Sequence, residues 1–163
     1  MKQDNRQQEE KFIDYLEEYK MLILKIARVY SPDKESRKDL IQEIILQLWR
    51  SFSKFDNKYA LSTWTYRIAL NVSISQLRKA KTREKMMSGY ASHLPIMQVD
   101  DTTTNEKLEY LYLFIEKLKP IDKAITILYL DECSNKEIAA VTGLSVKYFY
   151  QETAHQKTTS IIF

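Results

Sequence analysis

Residues Ser62–Lys81 read STWTYRIALNVSISQLRKAK. Apolar side chains at Trp64, Ile68 and Val72 recur every four positions, as they do along one face of an α-helix. Ser62 stands at the start of this pattern and is expected to cap the helix. Several polar and aromatic residues lie wholly or partly outside the apolar face, together with one leucine: Tyr66, Arg67, Leu70, Asn71, Arg78 and Lys79. The stretch therefore predicts a helix with one buried face and one face able to bind a partner.

Composition limits the fold class. The chain has 163 residues, of which 44% are hydrophobic and 12% aromatic. This is too apolar for a disordered chain and is sufficient for one or two small domains. Only two Gly and three Pro are present, far fewer than an all-β chain with many tight turns requires. We therefore predict an all-α fold.

The same composition excludes several kinds of site. The single cysteine, Cys133, rules out an internal disulfide, and no Cys/His group has the spacing of a zinc site. We find no paired carboxylates, no Gly-rich phosphate loop and no nucleophile with a base, so we expect no catalysis, no metal and no cofactor. No apolar run approaches the roughly 18 to 20 residues of a membrane span. We expect a reduced, cytoplasmic protein without membrane insertion.

Positive charge is concentrated in one segment. Residues 61–90 contain six cations and one anion, whereas the whole chain has a net charge of only +3. Such a segment is typical of a site for a polyanion, although many basic faces only meet water. Aromatic and amide side chains in the same segment can stack on unpaired bases and read base edges. A nucleic-acid interface is therefore the more specific interpretation.

Two helices are predicted before this segment. The first has an apolar stripe in steps of four and three residues: Phe12, Leu16, Tyr19, Ile23, Ile26 and Tyr30. The second contains DLIQEIILQLWRSF, residues 39–52, and Ser36 with Asp39 has the spacing of a capping box at its start. Its expected buried face comprises Leu40, Ile41, Ile44, Ile45, Leu48 and Phe52. Its polar residues fall mostly opposite and either meet water or bind a partner: Asp39, Gln42, Glu43, Gln47 and Arg50.

Helical periodicity is lost and then returns later in the chain. Residues 84–105 gather Ser, Thr, Asp, Gly and Pro, whereas EKLEYLYLFIEKLKP, residues 106–120, is again amphipathic. We predict two small helical domains, residues 1–83 and 106–163, joined by a flexible linker over residues 84–105. A mobile loop inside one domain is the alternative.

The second predicted domain contains SNKEIAAVTGLS, residues 134–145. Ser134 and Glu137 match a capping box, Gly143 permits a turn with positive φ, and Ser145 can cap the next helix. Small apolar residues such as Ala139 allow two helices to approach closely. This pattern indicates a helix-turn-helix, with a plain helical hairpin as the alternative.

Taken in order, these motifs resemble the extracytoplasmic-function (ECF) sigma factors, minimal members of the sigma-70 family of bacterial transcription initiation factors. DLIQEIILQLWRSF resembles the family's region 2.2, residues 54–79 resemble regions 2.3 and 2.4, and residues 107–145 resemble region 4. The resemblance implies a protein that binds core RNA polymerase and directs it to promoters. It further implies that region 2 captures the melted minus ten element and that region 4 binds the minus thirty-five element.

The resemblance also implies three sets of binding residues and several partners. In the family, region 2.2 docks on the clamp helices of the polymerase β′ subunit, which implies contacts at Asp39, Gln42, Glu43 and Gln47. The implied region 2 contacts with promoter DNA are Asn57, Lys58, Tyr59, Trp64, Tyr66, Arg67, Asn71, Arg78, Lys79 and Lys81. The implied region 4 contacts with DNA are Lys136, Ser145, Lys147, Tyr148 and Gln151. Further implied partners are the polymerase β flap and an anti-sigma factor.

The end of the chain departs from the family pattern. After GLS the family continues with a recognition helix rich in Arg and Lys, whereas this chain continues VKYFYQETAHQKTTSIIF. No Lys or Arg lies between Lys147 and Lys157, and Glu152 would repel phosphates, so the sequence disfavours strong minus thirty-five recognition. A truncation or a shifted reading frame is one explanation of this end.

Two other functions remain open from the residues alone. A one-component helix-turn-helix repressor would use the second domain for DNA, but it would leave the basic and aromatic cluster before the linker unexplained. An all-helical interaction protein without DNA recognition would account for the amphipathic helices and the weakly basic tail.

Overall fold

The computed structural model describes residues 2–87 and 106–148. Within these ranges the regular structure consists of six helices: α1 (Lys2–Tyr30), α2 (Lys34–Phe52), α3 (Leu61–Met87), α4 (Glu106–Glu116), α5 (Pro120–Leu130) and α6 (Asn135–Thr142). Residues 146–148 add one helical turn at the end of the second range. The all-α prediction is confirmed. Most of the predicted linker and the tail after Tyr148 lie outside the described residues.

Helices α1, α2 and α3 pack on one another and form what we call the first unit. Its core contains Ile26, Leu40, Ile44 and Leu48, each with at most 2% of its surface exposed. Removing a side chain of this size from water stabilises the fold by about 1.5–3 kcal/mol. The apolar stripe predicted for α1 and the apolar face predicted for α2 are buried or packed against this core, so both predictions are confirmed.

Helix α2 is capped by Asp33. The Asp33 carboxylate accepts a hydrogen bond from the backbone N–H of Ser36 at 2.8 Å, and this bond lowers the pKa of the carboxyl group. Because α2 already begins at Lys34, the Ser36 N–H is one of the free donors of the first turn. The predicted capping box at Ser36 and Asp39 is therefore wrong, since the helix starts about one turn earlier.

Helix α3 differs from its prediction at both ends. It begins at Leu61, where the Ala60 carbonyl accepts a hydrogen bond from the Trp64 N–H at 3.1 Å. Ser62 therefore lies inside the first turn, and its prediction as the cap is wrong. At the other end α3 continues to Met87, so residues 84–87 of the predicted linker are helical. Lys, Arg, Glu and Met are strong helix formers even where no apolar stripe is present.

Helix α3 is buried by both parts of the fold. It packs on α1 and α2 and also contacts α5 and α6, and as a result Tyr66 and Leu70 are only 7% and 3% exposed. The prediction that these two residues lie at least partly outside the buried face is wrong. Tyr66 and Leu70 lie outside the apolar stripe of Trp64, Ile68 and Val72. They are buried because α5 and α6, which are distant in sequence, also pack on α3.

Helices α4, α5 and α6 form the second unit. Its core contains Ile115, Ala124, Ile127, Leu128 and Ile138, none of them more than 2% exposed. Helix α5 begins with Pro120 at its first position, where the missing N–H costs nothing. Helix α6, the first helix of the predicted helix-turn-helix, packs on α5, which in turn packs on α4.

The caps predicted for α6 are confirmed. The Glu137 N–H donates to Ser134 Oγ at 3.3 Å, while the Ser134 N–H donates to the Glu137 carboxylate at 2.8 Å. Gly143 ends the helix with a φ of 75°, a conformation that a residue with a Cβ adopts only with strain. Ser134 with Glu137 fixes where α6 starts, and Gly143 fixes where the chain turns.

The two units pack directly against each other. The carboxylate of Asp131, in the turn after α5, accepts hydrogen bonds from Lys25 and Tyr66 of the first unit. The Tyr30 hydroxyl donates to the Pro120 carbonyl at 2.6 Å. The division of the chain into domains at residues 83 and 105 stays a prediction.

We predict that Ser134→Ala lowers the free energy of unfolding by about 1 kcal/mol, because the capping box loses its hydroxyl acceptor. Urea unfolding followed by circular dichroism measures this change. Ser62→Ala is the matched control: Ser62 lies within the first turn of α3, where alanine is the better helix former, so this variant should be neutral or slightly more stable. Equal losses in both variants would contradict the assignment of the caps.

Candidate nucleic-acid interface

The loop between α2 and α3 is held in a tight turn. The Asp56 carboxylate accepts a hydrogen bond from the Lys58 N–H at 3.1 Å, and Asn57 adopts a left-handed conformation with a φ of 56°. Asparagine is one of the few residues other than glycine that tolerates this conformation. The turn positions the side chains that follow it, Lys58 and Tyr59, beside the first turns of α3.

An exposed aromatic ring lies within reach of two cations next to this turn. The Tyr59 side chain is 39% exposed, the Lys58 ammonium lies 5.9 Å from its ring centroid, and the Arg67 guanidinium lies 5.6 Å from it. We call these three residues the Tyr59 cluster. Cations at this distance are attracted to the ring face. An aromatic ring flanked by positive charge can stack on an unpaired base while the cations bind the neighbouring phosphates.

Trp64 has a different environment from the Tyr59 cluster. Its ring packs at 5.3 Å from the Phe55 ring and at 6.0 Å from the Tyr15 ring, between centroids. Tyr15 is buried and shares a 2.7 Å hydrogen bond with the Thr65 hydroxyl. Half-buried Trp64 therefore connects the loop to the core and supports the turn that carries Tyr59.

Apart from Tyr66, the remaining predicted DNA contacts on α3 are exposed. Arg67 and Asn71 are one helical turn apart, and the predicted cations farther along the helix also reach solvent. Those cations are Arg78, Lys79 and Lys81. Asn71 and Lys79 line a groove between α2 and α3, so the polar strip along α3 leads from the Tyr59 cluster into this groove.

The groove between α2 and α3 has a volume of about 630 Å³. Helix α2 contributes Asp39, Glu43 and Gln47, and the Gln47 amide donates to the Glu43 carboxylate at 2.8 Å. The buried carbonyl oxygen of the Gln76 side chain, another residue of the groove wall, has no hydrogen-bond partner among the described residues. The predicted polymerase contacts and part of the predicted DNA contacts thus meet along one groove, with exposed Gln42 beside them on α2.

Tyr66 does not belong to this exposed surface. Its hydroxyl donates to Asp131, and burial, followed by the bond to Asp131 and the charge of that residue, raises the pKa of the phenol. The second unit therefore covers a residue that the sequence assigned to DNA. Asp131 and Lys25 were not among the predicted site residues. They are 106 positions apart in the chain, so no local sequence pattern reveals their contact.

The helix-turn-helix presents its predicted DNA contacts to solvent. Lys136, Ser145, Lys147 and Tyr148 are all exposed, and the Tyr148 N–H donates to the Ser145 carbonyl at 3.0 Å. A helix thus starts after Ser145, as predicted. Gln151 and Glu152 lie outside the described residues.

Residues 2–87 and 106–148 contain neither a metal-binding group nor a membrane-spanning helix. No group of three or more His, Cys, Asp or Glu side chains there is arranged to hold a metal ion. In the same ranges no helix combines the length and the apolar character that crossing a membrane requires.

Comparison with known proteins relates this surface to one family. Residues 15–83, which include the Tyr59 cluster and the groove, match the family described as Sigma-70 region 2. The chain is 25% identical to the ECF RNA polymerase sigma factor SigW of Bacillus subtilis (strain 168) over 158 residues, which cover 90% of this chain and 84% of the relative. It is 29% identical over 72 residues to the ECF RNA polymerase sigma factor SigG of Mycobacterium tuberculosis (strain ATCC 25618 / H37Rv), a match that covers 44% of this chain and 20% of that relative.

A solved structure has the same fold. It is the co-crystal structure of the sigma factor RpoE in complex with the anti-sigma factor NepR from Bartonella quintana, with a TM-score of 0.70. The match covers 91% of this chain and 92% of that chain, at 18% sequence identity. Both units of the present fold therefore have counterparts in one known protein.

We predict opposite effects for two substitutions in the loop. Asn57→Ala should lower the free energy of unfolding by about 1 kcal/mol, because a Cβ without a polar side chain disfavours the left-handed conformation. Asn57→Gly should leave the stability unchanged or raise it, because glycine adopts this conformation freely. Urea unfolding of both variants measures the difference, and equal stabilities would contradict the positive φ at residue 57.

Proposed function

We propose that this protein, a homologue of the extracytoplasmic-function sigma factors of the sigma-70 family, is a transcription initiation factor that binds core RNA polymerase and directs it to specific promoters. The family model match and the likeness to SigW along 90% of the chain support the proposal. The observation that carries it is the Tyr59 cluster at the end of the groove between α2 and α3. A repressor or an adaptor would not need this combination of an exposed ring, cations and a polar groove.

Region 2 would act by capture of melted DNA. The Tyr59 ring would stack on an unpaired base of the minus ten element, while Lys58 and Arg67 would bind the adjacent phosphates. Stacking of this kind contributes about 1–3 kcal/mol per base, which is comparable to the cost of unstacking one base. Since the protein would bind the unstacked base better than the paired one, binding would shift the duplex towards opening. The protein would therefore act by binding and not by catalysis.

The polymerase would bind along α2. Asp39, Gln42 and Glu43 are exposed on α2, and Gln47 beside them is half-buried and hydrogen-bonded to Glu43. This polar face lies opposite the buried leucine and isoleucine face, so it is available for a partner without any change in the fold. We assign it to the clamp helices of the polymerase β′ subunit.

Region 4 would occupy the second unit. Lys136, Ser145, Lys147 and Tyr148 surround the turn of the helix-turn-helix and would meet the minus thirty-five element, with Gln151 as a further contact. Tyr110 and Phe114, one turn apart on α4, are 71% and 62% exposed. Exposed aromatic pairs of this kind favour a protein contact, and we assign this pair to the polymerase β flap.

An anti-sigma factor is the expected regulator. The RpoE structure with the same fold contains the anti-sigma factor NepR, and we extend that class of partner to this chain. The place of action would be the cytoplasm, where the polymerase and the chromosome are found.

We predict that Tyr59→Ala weakens binding of single-stranded DNA about 5- to 150-fold, because one base loses its stacking surface. Arg67→Ala should weaken binding less and should reduce the slope of log affinity against log salt by about 0.7, the value for one phosphate contact on a single strand. Fluorescence anisotropy with a pool of random single-stranded oligonucleotides, in the presence of core polymerase, measures both effects. Tyr129→Ala, which removes a 67% exposed tyrosine of the second unit, is the matched control and should bind like the wild type.

We predict that Asp39→Ala and Glu43→Ala each weaken binding to core RNA polymerase about tenfold, as expected for a polar residue at the centre of an interface. Glu35→Ala removes an exposed acid from the first turn of the same helix and serves as the control. Co-elution with core polymerase and competition titration measure the affinities. Failure of the wild-type chain to bind the polymerase would contradict the proposed function.

A further inference from the structure

The contact between the two units is centred on one carboxylate. Asp131 lies in the turn between α5 and α6, and both of its oxygens accept hydrogen bonds from the Lys25 ammonium of α1. One of these oxygens also accepts a hydrogen bond from the Tyr66 hydroxyl of α3. The three side chains are at least two-thirds buried. Asp131 thus joins two helices of the first unit to the second unit.

The groups around this centre strengthen the contact. Arg28, one turn after Lys25 on α1, pairs with Glu109 of α4, and its guanidinium lies 4.3 Å from the centroid of the Tyr112 ring. The Tyr30 hydroxyl donates to the carbonyl of Pro120 at 2.6 Å. These contacts are polar and partly open to water, and they lie beside a hydrophobic core to which both units contribute buried residues.

The same interface contains a group that opposes closure. Lys123 of α5 is only 6% exposed, and its ammonium reaches the Val29 carbonyl at 3.5 Å and lies 5.8 Å from the centroid of the Tyr30 ring. Burial lowers the pKa of this amine, because a charged ammonium loses more hydration than these distant contacts return. An interface with polar bonds and a poorly compensated cation is expected to open more readily than a domain core.

We propose that Asp131 is a latch that holds the second unit closed over α3, and that opening the latch adds Tyr66 to the DNA-binding surface. Tyr66 precedes Arg67 of the Tyr59 cluster in the chain, so its release would expose a second aromatic ring about 100° around α3 from Arg67. The role of the released ring in DNA binding rests on the proposed function, whereas the latch itself does not. In the closed form the Tyr66 ring would be absent from the DNA-binding surface. DNA or a protein partner that binds the open form would shift the population towards the open form.

The only cysteine of the chain provides a direct probe of opening. Cys133 is partly buried at the interface, and burial is the main reason why the pKa of its thiol is raised. The charge of Asp131 raises this pKa further, whereas the charge of Lys25 lowers it. In a latch that stayed closed, Asp131→Asn would therefore speed alkylation of the thiol and Lys25→Met would slow it.

The two substitutions have the same effect if the latch is real. We expect both Asp131→Asn and Lys25→Met to speed alkylation of Cys133 by iodoacetamide roughly tenfold in the full chain, the equilibrium effect of one lost hydrogen bond to a charged group. Lys20→Met removes an exposed ion pair with Glu17 on the same helix and should leave the rate unchanged. Circular dichroism and urea unfolding confirm that each variant is folded at the labelling temperature. Slower or unchanged alkylation in folded Lys25→Met would overturn the latch.

Binding of single-stranded DNA tests the role of Tyr66. Lys25→Met should bind a random single-stranded oligonucleotide pool more tightly than the wild type, even though it has lost a cation that would otherwise attract DNA. Adding Tyr66→Leu to this variant should remove the gain, whereas adding Tyr66→Phe, which keeps the ring, should retain it. Faster alkylation without tighter DNA binding would overturn the role of Tyr66 while leaving the latch intact. Failure of every variant, wild type included, to bind core polymerase would count against the proposed function and not against the latch.

Discussion

The fold depends on the burial of α3 by two separate groups of helices. Helices α1 and α2 pack along α3 and supply most of the large apolar core, and α5 and α6 pack on it as well. Over residues 61–77 the outer strip of α3 is then narrow, and its exposed side chains, Arg67, Asn71 and Ser75, are aligned along one side of the helix. Arg67 and Asn71, followed by the cations near the end of the helix, form a polar line beside α2. The position of the candidate interface is thus a consequence of how the core is packed.

Local backbone chemistry positions the ring of the Tyr59 cluster. Asp56 and Asn57 build the turn before α3, and half-buried Trp64 anchors it to the aromatic core through Phe55 and Tyr15. These contacts support the loop that carries the partly exposed Tyr59 ring. A ring held in this way loses little conformational entropy when it binds a base. Under the proposed function, the conformation of the loop would contribute to base recognition together with the charge of the side chains.

The sequence predicted those features that depend on neighbouring residues. Apolar periodicity located α1, α2 and α3, and the Ser134 capping box with Gly143 located α6 and its turn, because each of these patterns repeats within a few positions. The cap of α2 was placed one turn too late, since serine and aspartate occur on both sides of Lys34 and compete for the same role. The buried state of Tyr66 could not be predicted, because it results from Asp131, which lies 65 positions away in the chain. The division into two domains and the roles of the site residues remain predictions.

The Asp131 contact also constrains how such a protein can be recombined. Lys25 and Tyr66 belong to the first unit but both bond to a residue of the second unit. A chimaera that joined this first unit to the helix-turn-helix of another protein would leave a tyrosine hydroxyl buried without its acceptor, unless the new module carried an acid in the same turn. An exchange of the second unit therefore has to preserve this acid as well as the helix-turn-helix.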